Sequence, residues 1–476
     1  MKNLNFYHEI DFLLPAQRFE IDFSYITQKG LPFVREYVLR LVNLAPMTNS
    51  QIANFFGFSA LELEEAIGDL IERDELTLTN NGRLSLTEKS RSYFSDVGDA
   101  PQLSSLLDSG VSLSFDLATF TCLGKDISRD KWKSGIQLGV KEENSANSEA
   151  HAEIAFQQQF NQIFRKGLLA KSLAQEDDEP PTIYTVNSVN KIRQMPLRLN
   201  VKFAMDDEGH SVEWDDFEQL SNSECVHESI STELNRLARP NNLTSIVQAM
   251  LEIGDAETIK VLDSKSNSLN LGYFEELVKF EDNRKDGRNF FLGPVYSRDN
   301  WQLVQKKLAP IIQERAKQKE DLKSLALNWI APSDPYWSKS NQFSTALSEL
   351  LTSANTKDRK IYSPTIYVPV AGADDTRSGK QWKHELEPNI ENVHALTEGF
   401  LGGNVEVLFC EGVFAVVVYH LMLSGIYPVT LPIGFVTEDA KMLSSIERIV
   451  DAYITGSRRF EHPNQLGKLS RFIQSR

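Results

Sequence analysis

Residues 31–94 restrict the fold of this chain most, because helical and strand periodicities follow one another there in a fixed order. Apolar residues at i, i+3 and i+4 predict a helix over residues 31–44. A short helix over 51–56 follows, and a capping box predicts the start of a third helix over 59–73. Leucines then alternate with polar residues on both sides of Asn80-Asn81-Gly82, which indicates a β-hairpin with an Asn-Gly turn.

The order helix, short helix, helix, hairpin resembles a winged helix-turn-helix domain. The phrase MTNSQIANFFGFS…LEEAIGDLIERDELTLTNNGRLSLTEKSRSYF carries the resemblance, including the LTEKS exit after the wing. Domains of this family commonly bind DNA by placing the third helix in the major groove. The resemblance therefore implies DNA contacts here, with Arg83 of the wing and Lys89 and Arg91 of the exit helix as candidates.

The charge of the third helix opposes such a contact. The helix has five acidic residues and one basic residue: Glu62, Glu64, Glu65, Asp69 and Glu72 against Arg73. Over 47–94 there are eight acids and four bases. Because affinity for DNA comes largely from neutralising phosphate charge, we expect this domain to contact protein or to act purely as a scaffold. DNA contact through the wing is the alternative.

The whole chain is also acidic, with 66 acidic and 50 basic residues and a net charge of −16. Nucleic acid and anionic membranes repel such a chain unless its positive charge is gathered on one face. The three cysteines, Cys122, Cys225 and Cys410, are far apart and form no CxxC pair, so a reducing cytoplasm is the predicted compartment. The most apolar run, 413–423, is too short for a membrane helix and predicts a buried strand.

The 476 residues correspond to about two to four domains. We predict an α+β multi-domain protein. Residues 1–100 contain the winged helix, residues 101–330 form a mixed middle with long helices, and residues 331–476 form a C-terminal α/β domain with a β-meander and a basic tail.

The middle of the chain alternates between polar breaks and apolar runs. Residues 141–150 are polar and predict an exposed linker. Two strands over 183–192 and 197–205 are predicted to form a hairpin pair. Residues 301–329 predict one long charged helix, in which Pro310 marks a kink or a boundary.

The C-terminal part begins with a predicted strand over 360–370, a flexible loop over 371–380 and helix within 381–400. An amphipathic helix over 441–454 follows the meander. Pro428 and Pro432 would place the third meander strand at a sheet edge. The three meander strands are predicted at 405–410, 413–423 and 427–437.

Basic residues cluster in this half. The loop region near 377–383 contains Arg377, Lys380 and Lys383, and the tail has five bases against Glu461 alone. Lysine and arginine contacts to phosphate give salt-dependent affinity without base information. These residues are therefore the candidate nucleic-acid contacts. The tail's aromatic residues, Phe460 and Phe472, would either stack on single strands or dock the tail onto its own domain. The five tail bases are Arg458, Arg459, Lys468, Arg471 and Arg476.

Candidate catalytic residues are few. His384 and His394 stand beside several glutamates, and His420 lies in a nearby strand, which is chemistry that could bind a metal or transfer protons. No HExxH is present, and ten residues is not a one-face helical spacing. We therefore predict no metal and no cofactor, and leave open whether the three histidines form a site.

Known catalytic motifs are missing. Phospholipase-D-like nucleases need HxKxxxxD, in which the histidine is the nucleophile and the lysine binds phosphate. None of the eight histidines is followed by x-Lys, so any relation to that family implies a degenerate, inactive fold. Phosphate-loop and nucleophile-elbow motifs are also absent.

These observations favour a non-catalytic, DNA-associated or protein-adaptor subunit of a bacterial nucleic-acid-related complex. The arrangement resembles accessory subunits of anti-phage or plasmid-defence operons. That resemblance implies protein partners from the same operon, nucleic acid bound through the C-terminal half, and no membrane. The alternatives are a degenerate phospholipase-D-like or other nuclease-like enzyme subunit, an enzyme that uses the His384–His420 region, and a winged-helix transcription regulator.

Overall fold

A computed structural model describes residues 4–30, 33–94, 101–127, 132–170, 181–220, 223–263, 268–279, 287–317, 324–355, 359–387, 389–456 and 463–473. Packing divides the chain into two units. Unit 1 comprises Met1–Pro15, Ser128–Val140 and Pro196–Arg476, and unit 2 comprises Ala16–Ile127 and Lys141–Met195. The sequence predicts three consecutive domains, whereas packing defines two units whose segments alternate along the chain.

Helices and strands are both abundant, as the α+β prediction requires. The helices within the described residues are α1 (Phe33–Leu44), α2 (Asn49–Phe56), α3 (Ala60–Glu72), α4 (Glu88–Arg91), α5 (Glu142–Ala146), α6 (Ser148–Arg165), α7 (Glu224–Leu237), α8 (Leu243–Ile253), α9 (Ala256–Ile259), α10 (Leu271–Lys279), α11 (Arg298–Lys317), α12 (Asn341–Ser353), α13 (Thr376–Leu386), α14 (Ala440–Thr455) and α15 (Leu469–Phe472).

The strands are β1 (Asn5–Gly30), β2 (Leu76–Leu78), β3 (Leu84–Leu86), β4 (Gln102–Asp116), β5 (Cys122–Gly124), β6 (Ile136–Gln137), β7 (Thr182–Met205), β8 (Ser211–Val212), β9 (Leu262–Asp263), β10 (Ser268–Leu269), β11 (Arg288–Leu292), β12 (Leu325–Ile330), β13 (Tyr362–Val370), β14 (Val393–Thr397), β15 (Val405–Cys410), β16 (Phe414–Leu421), β17 (Leu431–Thr437) and β18 (Gln465–Lys468).

Unit 2 contains the predicted series of three helices and a hairpin, from α1 to β3. The predicted capping box of α3 is present, because Ser59 and Glu62 each accept a hydrogen bond from the other's backbone N–H. One face of each helix is buried in a shared core that includes Val38, Ile52 and Ile67. The core depends on local periodicity, which is why these elements could be predicted.

The rest of unit 2 is built on the antiparallel pairing of β1 with β4. Phe156 and Phe160 of α6 pack against Phe23 of β1. The predicted linker over 141–150 is wrong, because these residues form α5 and the start of α6. Acidic residues in the first turn of α5 favour a helix there.

The predicted hairpin over residues 183–205 is also wrong, because β7 is one continuous strand. The residues between the two predicted strands, 193–196, lack the Gly or Asn that a two-residue turn needs. β7 contributes its first part to unit 2 and its last part to unit 1.

Unit 1 is organised by an eight-stranded sheet in the order β11-β17-β16-β15-β12-β13-β14-β18. Strands β12, β13 and β14 are parallel, with α12 and α13 in the connections between them. The loops that follow these three strands therefore meet at one edge of the sheet. Ligand sites of α/β sheets lie at such carboxyl-terminal edges. The buried core beside the sheet includes Trp329, Trp337 and Phe343.

The predicted meander is confirmed as β15, β16 and β17. The predicted edge position of its third strand is wrong, because β17 also pairs with β11. Pro432 lacks an N–H, but its carbonyl oxygen accepts a hydrogen bond from Gly293 N at 2.8 Å. The proline thus lies near the start of an internal strand without breaking it.

Three other boundaries differ from the predictions. α11 contains Pro310 but ends at Lys317, and β12 occupies the end of the predicted long helix. The predicted loop over 371–380 contains the first half of α13, because Asp375 caps the helix by accepting a hydrogen bond from Ser378 N. Helix α13 ends at Leu386, so much of 381–400 is not helical. Among the described helices, none is long and apolar enough to cross a membrane.

Candidate functional site

Helix α13 carries the three basic residues that the sequence assigned to a loop. Arg377, Lys380 and Lys383 are all exposed on it. At about 100° per residue they span about 120° of the helix circumference, so they share one broad side. His384 is exposed on the same helix. The structure therefore places these candidates on a regular element, which fixes their spacing.

The C-terminal tail docks on this helix. Strand β18 pairs antiparallel with β14, and α15 packs against α13. Phe472 is 8% exposed. A Cβ atom on Gly379 would lie 3.0 Å from the Phe472 ring, so the ring packs directly on the helix backbone. Phe472 is thus a docking residue, as one of the two alternatives predicted, and Phe460 lies outside the described residues.

Docking holds two basic residues of the tail on elements that pack against α13 or against the docked α15. Lys468 and Arg471 are exposed on β18 and α15, and both elements belong to the docked tail. Arg458 and Arg459 lie outside the described residues. We call the group the α13–α15 basic surface. Its members are Arg377, Lys380, Lys383, Lys468 and Arg471.

Acidic residues near this surface have basic partners. Glu391 Oε2 lies 3.8 Å from Lys468 Nζ. Glu387 Oε2 lies 2.9 Å from Lys133 Nζ, and this ion pair holds the pKa of Glu387 below its usual value. Glu391 therefore offsets part of the charge of Lys468, and nearby Lys383 adds to the lowering of the Glu387 pKa.

A cleft of about 480 Å³ adjoins α13 at the edge where β12 and β13 end. Trp382 and His384 line it from α13, and Arg236 and Arg239 line it from the chain around the end of α7. Arg239 donates a hydrogen bond to the carbonyl oxygen of Ser333. The cleft thus adds arginine and aromatic side chains at the edge where ligands of α/β sheets are found.

The three candidates in unit 2 lie elsewhere. Arg83 Nη1 donates a hydrogen bond to Pro46 O at 3.2 Å. Lys89 Nζ donates to Arg73 O at 2.6 Å, which satisfies a carbonyl at the end of α3. Arg91 is exposed on α4. Two of the three side chains therefore have partners within the domain itself.

The three histidines have different surroundings and no common partner among the described contacts. His384 is exposed on α13. His394, on β14, accepts a hydrogen bond at Nδ1 from Gln465 Nε2 at 2.8 Å if its proton is on Nε2. Burial and nearby Lys468 lower the pKa of His394. His420 is only 1% exposed, near the end of β16. They do not form one site.

His420 is the centre of a buried polar network. Its Nδ1 lies 2.7 Å from Asp334 Oδ2, and its Nε2 lies 3.1 Å from Glu406 Oε2. Glu406 Oε1 also accepts hydrogen bonds from the indole nitrogens of Trp329 and Trp337, at 2.7 and 2.9 Å. The network joins the loop after β12 to β15 and β16, at the same sheet edge.

The charge state of the network follows from its contacts. Burial lowers the pKa of His420, but the hydrogen bonds to Asp334 and Glu406 outweigh it and raise the pKa to about 9. The ring is therefore a cation at neutral pH, and both nitrogens donate. His8 is also buried, and burial lowers its pKa to about 4, so this ring is neutral.

This arrangement does not suit nucleophilic or general-base chemistry. A histidine nucleophile needs a free ring lone pair, and neither nitrogen of a doubly hydrogen-bonded imidazolium has one. Two carboxylates would also repel a phosphate. Asp334 and Glu406 were not identified from the sequence. The available signal was an acidic residue within VEVLFC, a strand in which every residue is buried.

Metal binding is not indicated by the described part of the chain. Within it, no group of three or more His, Cys, Asp or Glu side chains is placed to hold a metal ion.

Comparison with known proteins adds no assignment. No protein-family description matches the chain, and no curated protein matches it at a significant level.

Proposed function

We propose that the protein is a non-catalytic, nucleic-acid-associated subunit whose α13–α15 basic surface contacts the phosphate backbone. The observation that supports this most is the docking of the tail through Phe472 on Gly379. Docking holds five exposed cations on three neighbouring elements, α13, β18 and α15, in a chain whose net charge is −16. In such a chain, nucleic-acid affinity depends on local positive charge.

The surface favours binding without sequence preference. Its cations are exposed on a helix and on a short docked tail, from which they can reach phosphates. Phosphate contacts position a nucleic acid but do not specify its bases. Five such contacts would give a slope of about −4.5 for log affinity against log salt concentration on duplex DNA.

The cleft beside α13 supports the same proposal. Arg239 brings a positive charge to the cleft, and the half-buried Trp382 offers an aromatic ring. Arg236 also lines the cleft but is paired with Glu233 at 2.7 Å. Aromatic rings and arginines are the side chains on which unpaired bases stack. Single-stranded nucleic acid is therefore the preferred ligand in this proposal.

Residues 31–94 take the second role, as a winged helix that contacts protein. The acidic side chains of α3 are exposed, which opposes a phosphate contact there. This combination fits an accessory subunit of a cytoplasmic anti-phage or plasmid-defence complex, with partners from the same operon.

A degenerate phospholipase-D-like fold is the second candidate for the C-terminal half. His420 is buried at the edge of a mixed sheet, and both of its ring nitrogens hydrogen-bond to carboxylates, which favours an inactive form of such a site. The two candidates agree that the protein does not cleave nucleic acid.

The test is fluorescence anisotropy of labelled single strands and duplexes of unrelated sequence, at about 50 and about 200 mM salt. The test variant is R377E/K380E/K383E. The matched control is K306E/K317E/K441E, which makes the same charge change at exposed positions on α11 and α14. We expect the test variant to lose at least about ten-fold in affinity at low salt and the control to lose much less.

Two outcomes would overturn the proposal. One is that the unaltered protein binds neither ligand at low salt. The other is that the control loses as much affinity as the test variant, because binding would then follow net charge and not the α13–α15 basic surface.

A further inference from the structure

Helix α3 presents one face to the core of unit 2 and the opposite face to solvent. Leu63, Ile67 and Leu70 are buried, at the spacing i, i+4, i+7. Leu61 lies opposite this face and is 69% exposed, whereas Ile71, which is 45% exposed, lies on the flank about 80° around the helix from Leu61. These two apolar side chains are ten residues apart, or about 15 Å along the helix. We call the exposed part of the helix between Leu61 and Ile71 the stripe.

Gly68 lies between them on the same stripe and is exposed. A glycine inside a helix costs about 1 kcal/mol of stability relative to alanine. A Cβ atom on Gly68 would meet no atom within 4 Å, so the packing of this chain does not require glycine there. A missing side chain allows another backbone to approach closely. The stripe therefore leaves room for the backbone of another molecule at Gly68.

Charge indicates what that contact is. Glu62 is used in the capping box, and Asp69 pairs with Arg73 at 2.9 Å. The other three glutamates of the helix are exposed around the stripe. We call the stripe and these acids the α3 outer face, which consists of Leu61, Glu64, Glu65, Gly68, Ile71 and Glu72. It would repel phosphate and attract lysine and arginine.

We infer that the α3 outer face binds a basic amphipathic helix of a partner protein. The partner's apolar side chains would pack between Leu61 and Ile71, with its backbone closest at Gly68. Its lysines or arginines would meet the glutamates. Such a helix-on-helix contact needs apolar residues at helical spacing with charge on the flanks. The inference rests on the protein-contacting role proposed for residues 31–94, and it names the chemistry of the partner and the residues that would meet it.

The probe is a synthetic amphipathic peptide of leucine and lysine, and the reference is a peptide of the same composition in scrambled order. Binding of each to the full-length protein is measured by isothermal titration calorimetry. We expect the amphipathic peptide to bind at least about ten-fold more tightly than the scrambled one, a difference of about 1.4 kcal/mol. Equal binding of the two would mean simple charge attraction and would overturn the inference.

Gly68→Leu tests the site without changing charge. The added side chain fills the point of closest approach, and we expect at least about a ten-fold loss of affinity for the amphipathic peptide. Gly139→Leu is the matched control, because Gly139 is exposed and a Cβ there also meets open space. If Gly68→Leu binds like the unaltered protein, or if both variants lose affinity equally, the inference is wrong.

A second variant covers the case in which Gly68→Leu disturbs the fold. E64Q/E65Q/E72Q keeps side-chain size and removes only charge, and circular dichroism confirms that the helix content is kept. We expect this variant to lose affinity for the amphipathic peptide and to keep its affinity for nucleic acid. R377E/K380E/K383E should show the reverse pattern. An unchanged peptide affinity in E64Q/E65Q/E72Q would contradict the inference and leave the proposed function standing.

Discussion

The buried His420 network makes the stability of unit 1 depend on pH in a defined direction. In the folded protein the pKa of His420 is about 9, above the ordinary value of 6.5. A group whose pKa is raised by folding contributes stability that is fully present below pH 6.5 and is lost as the pH rises through 9. The difference between the two pKa values, about 9 and 6.5, corresponds to about 3 kcal/mol of the free energy of unfolding.

His8 acts in the opposite direction. Burial lowers its pKa to about 4, so as the pH falls the unfolded chain binds a proton on this residue at a higher pH than the folded chain does. Stability is therefore lost as the pH falls from 6.5 towards 4, again by about 3 kcal/mol. The two histidines together predict a maximum of stability near pH 6.5.

The assay is urea unfolding at a series of pH values, followed by tryptophan fluorescence. Trp329 and Trp337 both donate hydrogen bonds to Glu406, so their emission reports on the network itself. His420→Gln should lower stability by about 3–5 kcal/mol at pH 6, because it leaves the two carboxylates buried without a cation. It should also abolish the loss of stability between pH 6.5 and 9.

His210→Gln is the control, since His210 is 71% exposed and lies in unit 1. It should change neither the stability nor its pH profile by much. Two results would refute the reasoning that His420 is held as a cation. One is that the free energy of unfolding of the unaltered protein stays constant from pH 6.5 to 9. The other is that the free energy of unfolding of His420→Gln falls over that range as steeply as that of the unaltered protein.

Three further predictions concern activity, the tail and the core of unit 2. The purified protein should not cut DNA with Mg²⁺ or Mn²⁺; cleavage that is lost in His384→Ala or His394→Ala would contradict this. Phe472→Ala should release the tail at a cost of about 3 kcal/mol, and nucleic-acid affinity should fall although no charge changes; unaltered protease resistance of the tail would count against it. Arg35→Ala should destabilise unit 2 by about 3–5 kcal/mol, since it leaves Glu75, which is 1% exposed, without its ion pair; a smaller change in the unfolding midpoint would refute it.

Local patterns explain what could be predicted from the sequence. The three helices and the hairpin of unit 2 follow from apolar spacing, capping residues and an Asn-Gly turn, all of which act within a few residues. The meander of unit 1 follows from apolar runs separated by short turns. The prediction that Pro432 lies at an edge failed because pairing with β11 involves a distant segment.

Long-range pairing explains what could not be predicted. Arg377 and Lys380 were identified as basic candidates, but no local pattern predicts that the tail, which carries Lys468, docks on their helix. That placement depends on β18 joining β14 and on Phe472 meeting a glycine of α13. The hydrogen-bond network of His420 could not be predicted from the sequence for the same reason. Its two carboxylates come from the loop after β12 and from β15, which are neighbours only in the folded sheet.

Charge determines which kind of ligand each of the two candidate surfaces can bind. The α13–α15 basic surface and the α3 outer face carry opposite charge, so a phosphate backbone and a basic helix cannot exchange places on them. A strongly acidic chain disfavours phosphate contacts except where cations are gathered, and it favours basic partners generally. Specificity on the acidic side must therefore come from shape. Negative charge alone would bind any basic peptide. Gly68 lacks a side chain and has an apolar residue on either side along the helix, so a partner helix can approach the backbone closely there.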